Sequence, residues 1–197
     1  MSGLIERLFE RVYHVEPLVT DGADVVLRLA FQVYRGPDFT LADGTNVRHG
    51  DRVVELHMSN ERLAEIHREH DDPRRVGLAY MDLVTHSLRV LARAWVGEPR
   101  FEGVVAAYGV NLHPTQASRG GFEFREVRPA WRRKFLSWWI RRIVAQAHPQ
   151  GRSRVLTKDG RPREVSELWL SRASCLAMWG SASRPRKHVG ESQGGEA

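Results

Sequence analysis

Met81, Val84, Leu88, Leu91 and Trp95 recur at intervals of three and four residues after Pro73, a spacing that sets them on one side of an α-helix. The spacing predicts a helix over 74–96 carrying one continuous apolar stripe. A stripe that long is stable only against a second layer of structure, so the rest of the chain must supply a sheet or further helices. At 197 residues, 42% hydrophobic and 27% charged, the chain has the size and composition of one globular domain.

The second layer reads as strands. In residues 24–34, Val25, Leu27, Leu29, Phe31 and Val33 alternate with Arg28 and Gln32, the pattern of a half-buried strand. Arg52 to Met58 resumes as another, and Asp43-Gly44 and His49-Gly50-Asp51 between them predict a hairpin with a long connection. Val104 to Leu112 is nearly continuously apolar and Phe122 to Val127 alternates, so both read as strands. Lys158-Asp159-Gly160-Arg161 predicts a turn joining Arg154–Thr157 to Glu164–Leu170.

Four more helices are expected. They cover residues 3–13, a segment capped by Asn60 and running to His70, a segment from the Pro129 region to His148, and a segment capped by Ser171 and running to Trp179. The expected fold class is therefore α+β, a single domain over 1–180 with a mainly antiparallel or mixed sheet packed by helices. Residues 181–197, rich in Gly, Ser, Arg and Glu without apolar periodicity, read as a disordered tail.

Cys175 is the only cysteine, so no internal disulfide can form. The N-terminus carries acids and has no uninterrupted apolar stretch. Asp82, His86, Arg89 and Arg93 interrupt the longest apolar helix, and no transmembrane segment is expected. These features point to a soluble cytoplasmic protein, free or held loosely at the inner membrane face.

Charge is uneven. Residues 1–118 hold 13 Arg and 17 acids, a net −4, whereas residues 119–197 hold 17 Arg and Lys and 7 acids, a net +10. The surplus surrounds the segment from Pro129 to His148, where Trp131, Phe135, Leu136, Trp138, Trp139, Ile143 and Ala147 cover a broad helical arc with Lys134, Ser137 and Arg141 opposite. Arg132 and Arg142 fall inside the arc. Such a helix suits the core of a domain, with its arginines reaching out to water. It also suits an anionic membrane surface or glycopolymer and, less well, nucleic acid.

Residues able to do chemistry are few. His67 and His70, with Asp71 and Asp72 beside them, have zinc-ligand chemistry but lack a third convincing ligand; no metal and no cofactor is expected. Glu55 and His57 share one face of their strand, where a carboxylate can orient an imidazole and raise its pKa, although the pair better suits the polar outer face of an edge strand, or a His57 bonded to a neighbouring backbone group. Cys175 lies in apolar surroundings and reads as a buried thiol. No Gly-x-Ser-x-Gly elbow, phosphate-binding loop or dinucleotide fingerprint is present, which lowers the standing of those enzyme classes.

Tyr34-Arg35-Gly36, Asp43-Gly44-Thr45-Asn46-Val47, and Asp51 followed by His57 and Asn60 resemble the bacterial YkoP-like family. Gly121-Phe122-Glu123 before a Pro and an Arg/Trp-rich helix, and Leu168-Trp169-Leu170-Ser171, extend the similarity to about residue 180. The resemblance implies an association with cell-envelope polysaccharides, because YkoP-like domains also occur appended to polysaccharide deacetylases. The deacetylase's own His-x-x-x-His or His-x-x-x-x-His pair is absent here, so an accessory or binding role is expected, not hydrolysis. A polar ligand site would use Glu55, His57 and Asn60, with Arg132, Arg133 and Arg141 contributing charge.

Val104–Leu112, His113–Arg119 and Gly120-Gly121-Phe122-Glu123 are also similar to the late strands of acetyltransferases of the GNAT type. Asn111 and Ala117 would take the usual positions there. The loop that binds the acyl carrier's pyrophosphate is missing, so acyl transfer ranks second to binding.

Overall fold

The computed structural model of this chain describes residues 14–19, 25–112, 120–147, 155–157 and 159–180. The helix expected over 3–13, Ala117, Arg154 and the tail expected over 181–197 lie outside the described residues.

The strands are β1 (Glu16–Pro17), β2 (Leu27–Val33), β3 (Phe39–Thr40), β4 (Asn46–Val47), β5 (Arg52–Met58), β6 (Val104–Asn111), β7 (Glu123–Glu126) and β8 (Ser166–Ser171). The helices are α1 (Asn60–Glu69), α2 (Pro73–Gly97), α3 (Ala130–Ala147) and α4 (Arg172–Trp179). Six strands form one mixed sheet in the order β1-β2-β5-β6-β8-β7, and β3 pairs with β4 in a small separate hairpin. Only β5 and β6 are parallel within the large sheet. They can be, because α1 and α2 make the long crossover that parallel neighbours require. The α+β class expected from the element order is the one observed.

One face of the sheet is covered by helices. Leu27, Leu29, Val54, Ala107 and Leu170 pack there against Ile66 of α1, Leu83, Leu88, Leu91 and Trp95 of α2, and Cys175 of α4. The α2 stripe is real but rotated at its start: Leu83 is buried, while Met81 is 40% exposed. Ser87 interrupts the stripe without leaving a polar group stranded. Its hydroxyl donates to the Leu83 carbonyl at 2.8 Å and accepts the Val26 N–H at 2.9 Å, as a buried hydroxyl must.

The helix caps correct one reading and support another. Ser59, not Asn60, caps α1 by accepting from the Arg62 N–H, and Asn60 is the first residue of the helix. Ser171 caps α4 as expected, accepting from Ser174 N–H. Asp72, considered above as a metal neighbour, caps α2 through the Arg74 N–H at 3.0 Å.

The predicted C-terminal turn forms, and among the described residues the chain pairs across it from Val155 to Arg163, where the Arg163 N–H donates to the Val155 carbonyl at 2.9 Å. Thr157 and Arg161 close the turn, and Leu156 and Pro162 make a bridge. β8 pairs with β6 and β7. Leu168, Trp169 and Leu170 in succession are all buried, and only an interior strand offers apolar cover on both faces.

The second sheet face has two covers. Leu41 and Val47 of the β3–β4 segment, with Tyr34 and Phe39 beside them, lie over Val53, Ala106, Tyr108 and Trp169. Farther along β6, Val110 and Leu112 pack with Leu136, Ile140 and Val144 of α3. Tyr108 therefore sits where the two covers meet.

Candidate functional site

Strand register assembles the site. Arg28 lies opposite His57 and Ala30 opposite Glu55 across β2 and β5. Glu55 lies opposite Tyr108 across β5 and β6, and Tyr108 opposite Trp169 across β6 and β8. Because side chains alternate between faces, Arg28, Gln32, Glu55, His57, Tyr108, Glu167 and Trp169 all belong to the second face. They form a polar row over an aromatic base.

Glu55 is its centre. One carboxylate oxygen accepts from the Gln32 side-chain amide at 2.7 Å and the Tyr108 hydroxyl at 2.9 Å. His57 Nε2 is 3.9 Å from the same oxygen, and the Glu55 and His57 side chains keep only 15% and 19% of their exposure. Hydrogen bonds to a charged acceptor contribute about 1.5–3 kcal/mol each, which fixes the carboxylate in place. Burial pushes the Tyr108 phenol well above its usual range, and the adjacent Glu55 carboxylate pushes it further. Tyr108 thus remains a proton donor across the ordinary pH range.

Tyr108 stacks on Trp169 with ring centroids 4.8 Å apart. Tyr34 and Phe39 meet the same indole edge-on at 5.5 and 4.9 Å. The indole N–H donates to Glu167 at 3.1 Å, and Arg132 of α3 donates to the other Glu167 oxygen at 2.8 Å. The row therefore runs from Arg28 and His57 through Glu55, Gln32 and Tyr108 to Glu167 and Arg132.

The hairpin over this face is tied down at its tip. Asp43 accepts from the hydroxyls of Ser171 and Ser174 and from the Thr45 N–H, while Glu123 accepts the Ala42 N–H at 2.8 Å. Partial burial would raise the Asp43 carboxyl, but these hydrogen bonds outweigh it and hold the group below its ordinary value. At Gly36 an added Cβ would collide with the Tyr34 ring, whose hydroxyl folds back onto the Pro37 carbonyl at 2.9 Å. The motif residues Tyr34, Gly36, Asp43, Thr45, Glu123, Trp169 and Ser171 thus share one place: they hold the hairpin against the sheet.

The site residues named from sequence divide into two groups. Glu55 and His57 are brought together. Asn60, at the first turn of α1, follows the end of β5. Of the three arginines expected to lend charge to the site, Arg132 stands at the end of the row, and all three are engaged within the domain. Arg132 pairs with Glu167 at 2.8 Å, Arg133 pairs with Glu126 and Glu164, and Arg141 donates to the Arg163 carbonyl at 2.8 Å. The orientation of α3 is the reason. Leu136, Ile140 and Val144 face the body, with Ser137 buried and accepting the Val165 N–H at 3.1 Å. Trp131, Phe135 and Trp138 face outward. The helix is rotated from the expected arc, and three short aliphatic side chains suffice to fill the space beside Leu112, Val127 and Val165.

Gln32, Tyr108, Glu167 and Arg28 were not singled out as site residues from the sequence. Arg28 and Gln32 were legible as polar residues on the second side of β2, but only the pairing register shows that this side meets Glu55 and His57. Tyr108 lay hidden in an apolar run.

Burial holds the His57 imidazole below its usual 6.5; Glu55 draws it up and Arg28 pushes it down again. The ring is therefore neutral at pH 7. Between its folded pKa and 6.5 the unfolded chain binds a proton that the native state refuses, so stability rises with pH across that window. The contribution is complete above the unfolded pKa and lost as pH falls through the folded one, with a slope of at most about 1.4 kcal/mol per pH unit. Urea unfolding of the native chain and His57→Gln at pH 7.5 and pH 5 checks this. The native chain should lose more stability than the variant, and parallel losses would contradict the assignment.

Among the described residues no group of three His, Cys, Asp or Glu side chains could hold a metal ion, and no helix is long and apolar enough to cross a membrane. Cys175 is buried beneath the helices, and burial pushes its thiol up to about 12.

These features define an α+β domain whose mixed sheet bears helices on one face and a pinned hairpin with a single helix on the other. The YkoP domain family model matches residues 2–179, and the chain belongs to that family. No curated protein and no solved structure matches it.

Proposed function

We propose that this YkoP domain is a non-catalytic accessory module that holds a neutral stretch of cell-envelope polysaccharide on the second sheet face. The observation that carries the reading is the prearranged row of Gln32, Glu55, His57 and Tyr108, with the carboxylate already fixed by two donors. A sugar chain presents hydroxyls that both donate and accept, and the row offers both. Arg28 and Arg132 offset Glu55 and Glu167, so the site has no net charge to draw a polyanion. The company that YkoP-like domains keep with polysaccharide deacetylases points to the same ligand class.

Calorimetric titration with soluble N-acetylglucosamine oligomers tests the reading. The native chain should bind, and Glu55→Ala should weaken binding at least tenfold, the loss of one charge-assisted contact with its partners left unpaired. Asp82→Asn, on α2 behind the sheet, should bind as the native chain does. Absence of measurable heat with the native chain, or an unchanged affinity in Glu55→Ala, would overturn the proposal.

A further inference from the structure

The helix α3 is apolar on two sides, and among the described residues the body packs against only one. Leu136, Ile140 and Val144 pack inward, whereas Trp131, Phe135 and Trp138 are 70%, 55% and 50% exposed. At 100° per residue these three aromatics share a single outward face with Lys134 and Arg142. A contiguous aromatic face left in water marks a docking surface.

We infer that this outward face of α3 seats the domain on an anionic lipid bilayer, a role separate from the polar row. Residues 130–147 contain no acid. Lys134 and Arg142 have no carboxylate partner among the described residues, and the Arg142 guanidinium lies 5.9 Å from the centre of the Trp138 ring. Arg128, just before the helix, is 77% exposed with Glu126 no nearer than 3.9 Å. Tryptophans flanked by cations on one helical face match the chemistry of the headgroup region, where rings enter the boundary and the cations meet phosphates.

Charge argues against a second copy as the occupant, since a two-fold contact through this face would oppose Lys134 and Arg142 to their own counterparts. Ring geometry argues against stacked bases. Phe135 and Trp138 lean on one another at 6.2 Å, as do Trp138 and Trp139, and Arg142 already covers Trp138.

The test is co-sedimentation of the full chain with vesicles of phosphatidylglycerol and phosphatidylcholine, or of phosphatidylcholine alone, at low and high salt. Binding should require the anionic lipid, weaken with salt and shift tryptophan emission to the blue. The triple variant Trp131→Ala, Phe135→Ala, Trp138→Ala should lose at least tenfold in partitioning while its thermal midpoint stays within a few degrees. Lys134→Glu with Arg142→Glu should abolish the preference for anionic lipid. Equal recovery in the supernatant with both vesicles would overturn the inference. So would undiminished binding by the triple variant, or a concentration-dependent dimer or single-stranded oligonucleotide complex that the triple variant abolishes.

Discussion

Replacing Trp169 with Ala is expected to destabilise the domain by about 3–5 kcal/mol, the range for deleting a fully buried large aromatic. Trp169 is 1% exposed and contacts the rings of Tyr34, Phe39 and Tyr108. Its loss opens a cavity under the hairpin and removes the indole donor from Glu167. Those neighbours belong to an anchored hairpin and an interior strand, so they cannot collapse freely into the void. In a domain of this size the midpoint of thermal unfolding should fall by roughly 6–20 °C. Trp169→Phe keeps a ring at the site and should lose less. A Trp169→Ala variant within about 1 kcal/mol of the native chain in urea unfolding would show that the hairpin does not cover this face.

Trp95→Ala should cost a similar amount, about 3–5 kcal/mol, on the opposite side of the sheet. Trp95 is 2% exposed on α2, leans on Phe101 and donates its indole N–H to the Val104 carbonyl at 3.2 Å. Removing it leaves a cavity in the helical layer and withdraws a donor from a buried carbonyl. The two tryptophans share no neighbour in these clusters, so their effects should add to within about 0.5 kcal/mol. The combined loss approaches the whole stability of an ordinary domain, about 5–15 kcal/mol. The double variant should therefore show mostly unfolded circular dichroism at 25 °C. Loss in the double variant no greater than in either single variant would mean that the two faces do not pack independently.

The layout of layers was largely legible from residue patterns, because the signals were long and periodic. The stripe ending at Leu88, Leu91 and Trp95 identified α2, and the apolar run from Val104 identified the interior strand β6. Ser171 announced the start of α4 through its capping chemistry. What could not be read was which way a face points when both sides of an element are apolar. For α3 the largest rings indicated one direction, and packing took another, because the local volume wanted Leu136, Ile140 and Val144. The body then supplied Glu167, Glu126 and Glu164 to the inward and flanking arginines.

The candidate site was half legible for a related reason. Glu55 and His57 stood out because alternation put two polar side chains on one face of β5. Gln32, Tyr108 and Glu167 come from three other strands, and no local pattern fixes the register that brings them together. The similarity to YkoP-like proteins pointed to the hairpin beside the row. Its motif residues Asp43, Thr45, Glu123 and Ser171 secure the hairpin that bounds the row and are not themselves members of it.

The most direct test of the central claim, that the row around Glu55 receives a sugar ligand, is a nuclear magnetic resonance titration of the full chain with N-acetylglucosamine oligomers. The Trp169 indole N–H, the His57 ring and the amides of Glu55 and Tyr108 should shift together and saturate at one concentration, while the Trp131 and Trp138 indoles stay in place. Movement of the Trp131 and Trp138 signals with the sheet resonances unmoved, or a spectrum that does not change, would contradict it.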